Sequence, residues 1–206
     1  EINGGIYVFD IGTLFEVLNQ IPEAGPKYER YLPAIVPLYR RRHLSVGTLT
    51  TEDGNEIRGV NSQTELAEAS RIVRQRKNEE LMAAGVTIED PSSTHIDDDV
   101  TVGPDTIIRP GVILEGLTTV GARCELQSWV RVANSTIGDD VTIRNCCVIT
   151  ESHLESGTRV GPFAHLRPGA MLKRDARVGN FVELKQTTLG TGSKANHLSY
   201  LGDATI

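Results

Sequence analysis

The chain has 206 residues, 39% of them apolar, 5% aromatic and 23% charged, with 20 glycines and 9 prolines. That length buries a core without disulfide or metal staples, and the composition excludes collagen-like and disordered classes. A formal net charge of −6 argues against nucleic acid and against a polybasic membrane surface, leaving small molecules and protein as partners. No apolar run reaches the roughly 18–20 uncharged residues of a membrane helix, and Glu1-Ile2-Asn3 opens no secretory signal, so a cytoplasmic location is expected. A chain that starts without Met and stops at Ile206 inside a repeat reads as a piece of something longer. Cys124, Cys146 and Cys147 form an odd set with no C-x-x-C spacing and read as small buried hydrophobes rather than as a disulfide or zinc framework.

In chain order, Ile6-Tyr7-Val8-Phe9 predicts a strand, Thr13–Asn19 a short helix, Pro22 to Pro26 a turn, and Pro33–Tyr39 a second apolar helix, with further short strands up to Val60. This is an α/β piece with too few strands for a nucleotide-binding sheet of its own, as at the end of a larger domain. Ser62-Gln63-Thr64-Glu65 is a capping box opening a helix with apolar residues Leu66, Ala69, Ile72, Val73, Leu81 and Met82, closed by Gly85. Its basic residues Arg71, Arg74, Arg76 and Lys77 alternate with glutamates and read as a solvated face.

From Ile96 to Leu201 an aliphatic residue recurs every six positions, shortened to five at 132→137, 149→154 and 184→189. Small residues stand four positions after most of these, and Gly often follows directly, where a turn of unusual φ is expected. A large residue every six with a small one between them describes a triangular coil of short parallel strands, with about 18 residues per turn. Residues 96–206 then make about six coils of a parallel β-helix built from hexapeptide repeats.

Candidate chemistry concentrates between Gly161 and Tyr200. Arg167 and Lys185 lie 18 residues apart, hence one coil apart on the same outer face, at about the 4.8 Å spacing of neighbouring strands. Two cations held so close are reconciled by a phosphate between them; the alternative is that they splay into solvent or pair with Glu183. His197 offers an imidazole suited to general-base work and Tyr200 a hydroxyl that orients substrate, beside the alternative of plain surface residues. His43, His95, His153 and His165 show no metal-ligand spacing, and His153 and His165 fall on different faces. Asn3 and Asn61 are the polar residues of note in the first part; an amide oxygen ligates Mg²⁺, and a turn before a helix favours Asn for structural reasons alone.

Glu1-Ile2-Asn3, Gly59-Val60-Asn61, the run Gly85–Pro91, and above all Leu166-Arg167-Pro168-Gly169, Val178–Glu183, Gly192–Leu198 and Tyr200–Ala204 resemble the bacterial bifunctional N-acetylglucosamine-1-phosphate uridyltransferase/glucosamine-1-phosphate acetyltransferase family over nearly the whole chain. The resemblance implies a Rossmann-like nucleotidyltransferase tail over residues 1–61, a linking helix over 62–85, and a left-handed parallel β-helix acetyltransferase domain over 86–206, truncated at its end. It implies acetyl transfer from acetyl-CoA to the amine of glucosamine-1-phosphate, then Mg²⁺-dependent uridylyl transfer from UTP giving UDP-N-acetylglucosamine for the cell envelope, in a homotrimer. By the same resemblance His197 is the general base, Arg167, Lys185 and Tyr200 hold the sugar phosphate, Asn3 contacts the nucleotide sugar, and Asn61 contacts both nucleotide sugar and Mg²⁺. The family's Gly-rich UTP loop and its carboxylate partner for Mg²⁺ are absent from this sequence, as are the later coils that hold most of the coenzyme, so the piece alone is expected to be inactive. The alternative readings are a nucleotide-sugar pyrophosphorylase, or a regulatory subunit, with a non-catalytic hexapeptide-repeat tail.

Overall fold

A computed structural model describes residues 3–206, which divide into two compact units, the first extending to Ala69 and the second running Ser70–Ile206. In the first unit Asp10 caps α1 (Ile11–Leu18) by accepting from the Thr13 amide at 3.2 Å. A two-residue antiparallel pair, Glu23–Ala24 with Glu29–Arg30, replaces the simple turn expected near Pro22–Pro26. A 3-10 turn at Leu32–Ala34, with Pro33 in its first positions, runs into α2 (Ile35–Arg41). Val17, Ile21, Ile35 and Tyr39 form the small core between the two helices.

Two expectations fail here. Ile6–Phe9 is irregular, with Ile6 and Val8 exposed, and the stretch before Val60 holds a 3-10 turn at Gly54–Ile57 instead of strands. A β-branched and aromatic run makes a strand only when a neighbouring backbone takes up its hydrogen bonds, and no described segment pairs with either stretch.

Helix α3 (Gln63–Ala83) starts with the predicted cap, Ser62 Oγ accepting from the Glu65 amide at 3.2 Å. Glu65 reaches back to the Asn61 amide at 2.7 Å, and this bond, with the Ser62 contact, holds its carboxyl below the ordinary range. Gly85 adopts φ +93° and the Val86 amide bonds the Leu81 carbonyl, closing the helix as its sequence predicts. Burial along the helix departs from the expected apolar face: Leu66 and Val73 are about half exposed, while Lys77, Asn78 and Leu81 are buried. Only the last turns pack on the first coil, where Asn78 donates to the carbonyls of Pro91 (3.0 Å) and Thr94 (3.2 Å). Lys77, read as solvated, is covered and paired with Glu80 at 3.4 Å.

The rest is a parallel β-helix with three faces of seven, seven and six strands. Face 1 runs from Thr87–Ile88 to Lys194–His197, face 2 from His95–Ile96 to Tyr200–Gly202, and face 3 from Thr101–Val102 to Thr188–Leu189. The first strand lies before Ile96, so the solenoid carries a rung more than the ladder indicated. Ladder residues stack coil on coil, as in Leu166, Leu184 and Leu201, and the small residues between them, such as Val112, Ala164 and Val182, are buried. Cys124 and Cys147 point inward with their thiols made less acidic by burial, Cys147 being pushed up to about 11, which leaves both inert as expected.

The glycines after ladder positions have a different cause from the one predicted. Except for Gly161 they avoid positive φ; a Cβ on Gly103 would stand 2.6 Å from the Ala122 nitrogen of the next coil. Close approach of backbones, not unusual φ, demands them. Positive φ falls instead at the edges, on Gly111, Gly116, Gly157, Gly169 and Gly192 and also on residues that carry side chains, and the three edges differ in chemistry. One carries Trp129, Cys146, Phe163, Phe181 and Leu198, another Asp105, Arg123, Asp140 and Asp175, and the third Asn134, Glu151, Gln186 and Asp203.

Candidate active site

On face 2 the strands His165–Leu166, Glu183–Lys185 and Tyr200–Gly202 are successive neighbours. Their register aligns His165 with Glu183 and Glu183 with Tyr200 in one row. Arg167, whose amide bonds the Leu184 carbonyl at 2.8 Å, continues the next row, in which Lys185 aligns with Gly202. The 18-residue spacing therefore brings Arg167, Lys185 and Tyr200 onto one face within three coils, as the repeat requires.

Arg167 is paired with Glu183, Nη1 to Oε1 at 2.8 Å, with both side chains about 40% exposed. That is the alternative held open for the two cations, realised for one of them. Lys185 makes no ion pair among the described residues. A pair so exposed contributes at most about 1 kcal/mol, so an arriving phosphate can take the guanidinium from Glu183 at small cost. Arg167 with Lys185 thus presents one screened and one open cation to an anion.

Tyr200 lies across Gly202: a Cβ there would come within 2.6 Å of the Tyr200 oxygen. The bare glycine keeps the phenol over the Lys185 row. His197 ends the strand Lys194–His197 on face 1, with Asn180 as its register partner one coil below. Leu198 then takes φ +50°, turning the chain over the apolar edge so that Tyr200 starts the next strand on face 2. His197 and Tyr200 flank that edge from two sides, and both side chains are exposed. Sequence reasoning did not single out Asn180 or Gly202; the available signal was the coil of 17 residues, shortened by the five-residue step at 184→189, that sets 180 beneath 197.

The other candidates stand apart from this face. His153 lies on face 3 and His165 on face 2, as predicted. In the first unit Asn3 donates to the Tyr7 hydroxyl at 2.6 Å and accepts from the Gly5 amide at 2.9 Å. The Asn61 backbone N–H donates to Glu65 as part of the cap of α3. Among the described residues no three His, Cys, Asp or Glu side chains gather where they could hold a metal ion. No helix of the described residues is long and apolar enough to cross a membrane.

Comparison with known proteins shows the family. The family described as the GMPPB C-terminal domain matches residues 81–195, more than half of the chain. The bifunctional protein GlmU of Trichlorobacter lovleyi is 44% identical over 206 residues, all of this chain and 45% of that protein. That of Streptococcus suis is also 44% identical, with the same coverage. The chain thus spans under half the length of the relatives it matches. Among solved structures, the acetyltransferase domain of PglB from Neisseria gonorrhoeae is 22% identical with a TM-score of 0.44, covering 65% of this chain and 63% of that one. The chain belongs to the family described as the GMPPB C-terminal domain, and along its whole length it is similar to the bifunctional GlmU proteins.

Proposed function

We propose that this β-helix is the acyl-acceptor half of an acetyltransferase that moves the acetyl group of acetyl-CoA to the amine of glucosamine-1-phosphate. The observation that carries the reading is the alignment of Arg167, Lys185 and Tyr200 on one face over three coils, next to the edge that ends in His197. In this reading Arg167 and Lys185 hold the sugar phosphate and Tyr200 orients the sugar. His197 accepts the proton as the amine attacks the thioester carbonyl; the C–N bond forms, the C–S bond breaks, and coenzyme A leaves as its thiol. A passive trimerisation tail needs no such set, which disfavours the pyrophosphorylase and regulatory-subunit readings.

Residues 1–61 are the end of a uridyltransferase domain in the same proposal, with Asn3 and Asn61 toward the nucleotide sugar. Transfer from UTP, and the Mg²⁺ it uses, are assigned to the longer protein in the cytoplasm. Lys185→Ala in that longer protein is expected to raise KM for glucosamine-1-phosphate at least about tenfold, the range of a lost charge-assisted contact, while KM for acetyl-CoA stays put. Steady-state kinetics with each substrate varied checks it; an unchanged sugar-phosphate KM removes Lys185 from the site.

The apolar edge supports a homotrimer. Trp129, Phe163, Phe181 and Leu198 are each at least half exposed, Phe163 and Phe181 stack with centroids 5.2 Å apart, and the other two edges are mainly polar. Burying this edge against a neighbouring copy removes its apolar surface from water. Phe181→Glu with Leu198→Glu is expected to shift the protein from trimer to monomer in sedimentation velocity; an unchanged trimer places the interface elsewhere.

A further inference from the structure

Charge on the outward side of face 1 is distributed unevenly from bottom to top. In the lower coils Arg109 is paired with both Glu89 and Glu125, so that stretch is balanced. Higher up, the register aligns Glu125 with Thr142, Thr142 with Arg159, Arg159 with Arg177, and Arg177 with Lys194. Arg159, Arg177 and Lys194 therefore stand directly above one another, about 4.8 Å apart from coil to coil. Arg144 projects from the same side one coil below Arg159, its amide bonded to the Val160 carbonyl. All four are exposed, and none forms an ion pair or side-chain hydrogen bond among the described residues.

No carboxylate shares this upper stretch. On the adjoining polar edge Asp140 stands four residues before Arg144 and Asp175 two before Arg177, and Asp140 is occupied by Arg123 at 2.8 Å. Like charges directly opposite in a sheet repel, and a chain of net charge −6 gains nothing in solubility by collecting unpaired cations in one column.

We infer that this column is a binding strip for a linear oligophosphate, a di- or triphosphate group of a small molecule. Spacing selects that class over an acidic peptide. Carboxylates on one side of an extended peptide recur at about 6.6–6.8 Å, wider than the coil repeat, whereas consecutive phosphates are charged at every unit along a shorter path. Two arginine forks stacked in line suit phosphate oxygens bidentately. The strip is separate from Arg167 and Lys185, which are on face 2, and its binding is read without turnover, so it does not depend on the acetyl-transfer reading.

The test is titration calorimetry of this chain with inorganic tripolyphosphate and with a hexaglutamate peptide, in low salt and in 0.5 M NaCl. Tripolyphosphate is expected to bind in low salt, to weaken at least about tenfold in high salt, and to weaken at least about tenfold in R159Q/R177Q/K194Q. An R167Q/K185Q variant is expected to retain the binding. Circular dichroism of each variant establishes that it is folded; these exposed changes leave the core untouched. Absence of binding to the unsubstituted chain, equal affinity in the triple variant, loss in R167Q/K185Q, or hexaglutamate binding as tightly as tripolyphosphate each overturns the inference.

Discussion

Replacing His197 by alanine in the longer protein is expected to lower kcat for acetyl transfer by about 10²–10⁴-fold, the usual contribution of a positioned general base. Release of coenzyme A thiol with glucosamine-1-phosphate as acceptor measures it directly. The KM values should move little, because His197 is assigned to the proton and not to the phosphate, whereas Lys185→Ala raises KM for the sugar phosphate. A second signature separates loss of a base from a structural defect. Added imidazole, which can take the proton in place of the missing side chain, is expected to restore part of the rate to the variant, whereas a damaged fold gives no such rescue. His197 is exposed and ends its strand, so its loss leaves the core intact. Retention of wild-type kcat in His197→Ala would return His197 to the status of a surface residue and revive the non-catalytic tail.

Leu184→Ala is expected to cost about 2–5 kcal/mol of stability, the range for truncating a fully buried leucine. Leu184 has no exposed surface and stacks between Leu166 below and Leu201 above, so no neighbour can relax into the cavity without breaking the coil repeat. Its register carries Glu183 on one side and Lys185 on the other, so the same cavity loosens the ion pair with Arg167 and the open cation. Denaturant unfolding followed by circular dichroism measures the loss. Because each coil contacts only its neighbours, the unfolding transition should broaden as the upper coils open first. A loss under about 1 kcal/mol would mean that the coils around Leu184 repack, against the rigid ladder described here.

The linear sequence already holds most of the β-helix. A period near six with small residues between large ones is a local pattern, and stacking identical coils turns it into contacts, so Leu166, Leu184 and Leu201 meet because their spacing is one turn. The same arithmetic places Arg167 and Lys185 in one row and sends His153 and His165 to different faces. Helix ends were legible for a similar reason: Ser62, Glu65 and Gly85 act on backbone groups within a turn of themselves.

Tertiary structure decided the rest. Ile6–Phe9 has the β-branched and aromatic composition of a strand and remains irregular, since pairing depends on a distant backbone that no local pattern reveals. Leu66 and Val73 repeat at helical spacing, and yet the turns that become buried are those carrying Lys77, Asn78 and Leu81, because α3 meets the first coil only at its end. The glycines after ladder positions were visible, but their cause, a neighbouring coil's backbone within 2.6 Å of a Cβ at Gly103, exists only once the coils are stacked. Glu183 as the partner of Arg167, and Tyr200 lying over Gly202, likewise depend on side-chain directions set by the register of three coils. Spacing along the chain determines which residues share a row; which of them touch is settled by rotamer and edge geometry in three dimensions.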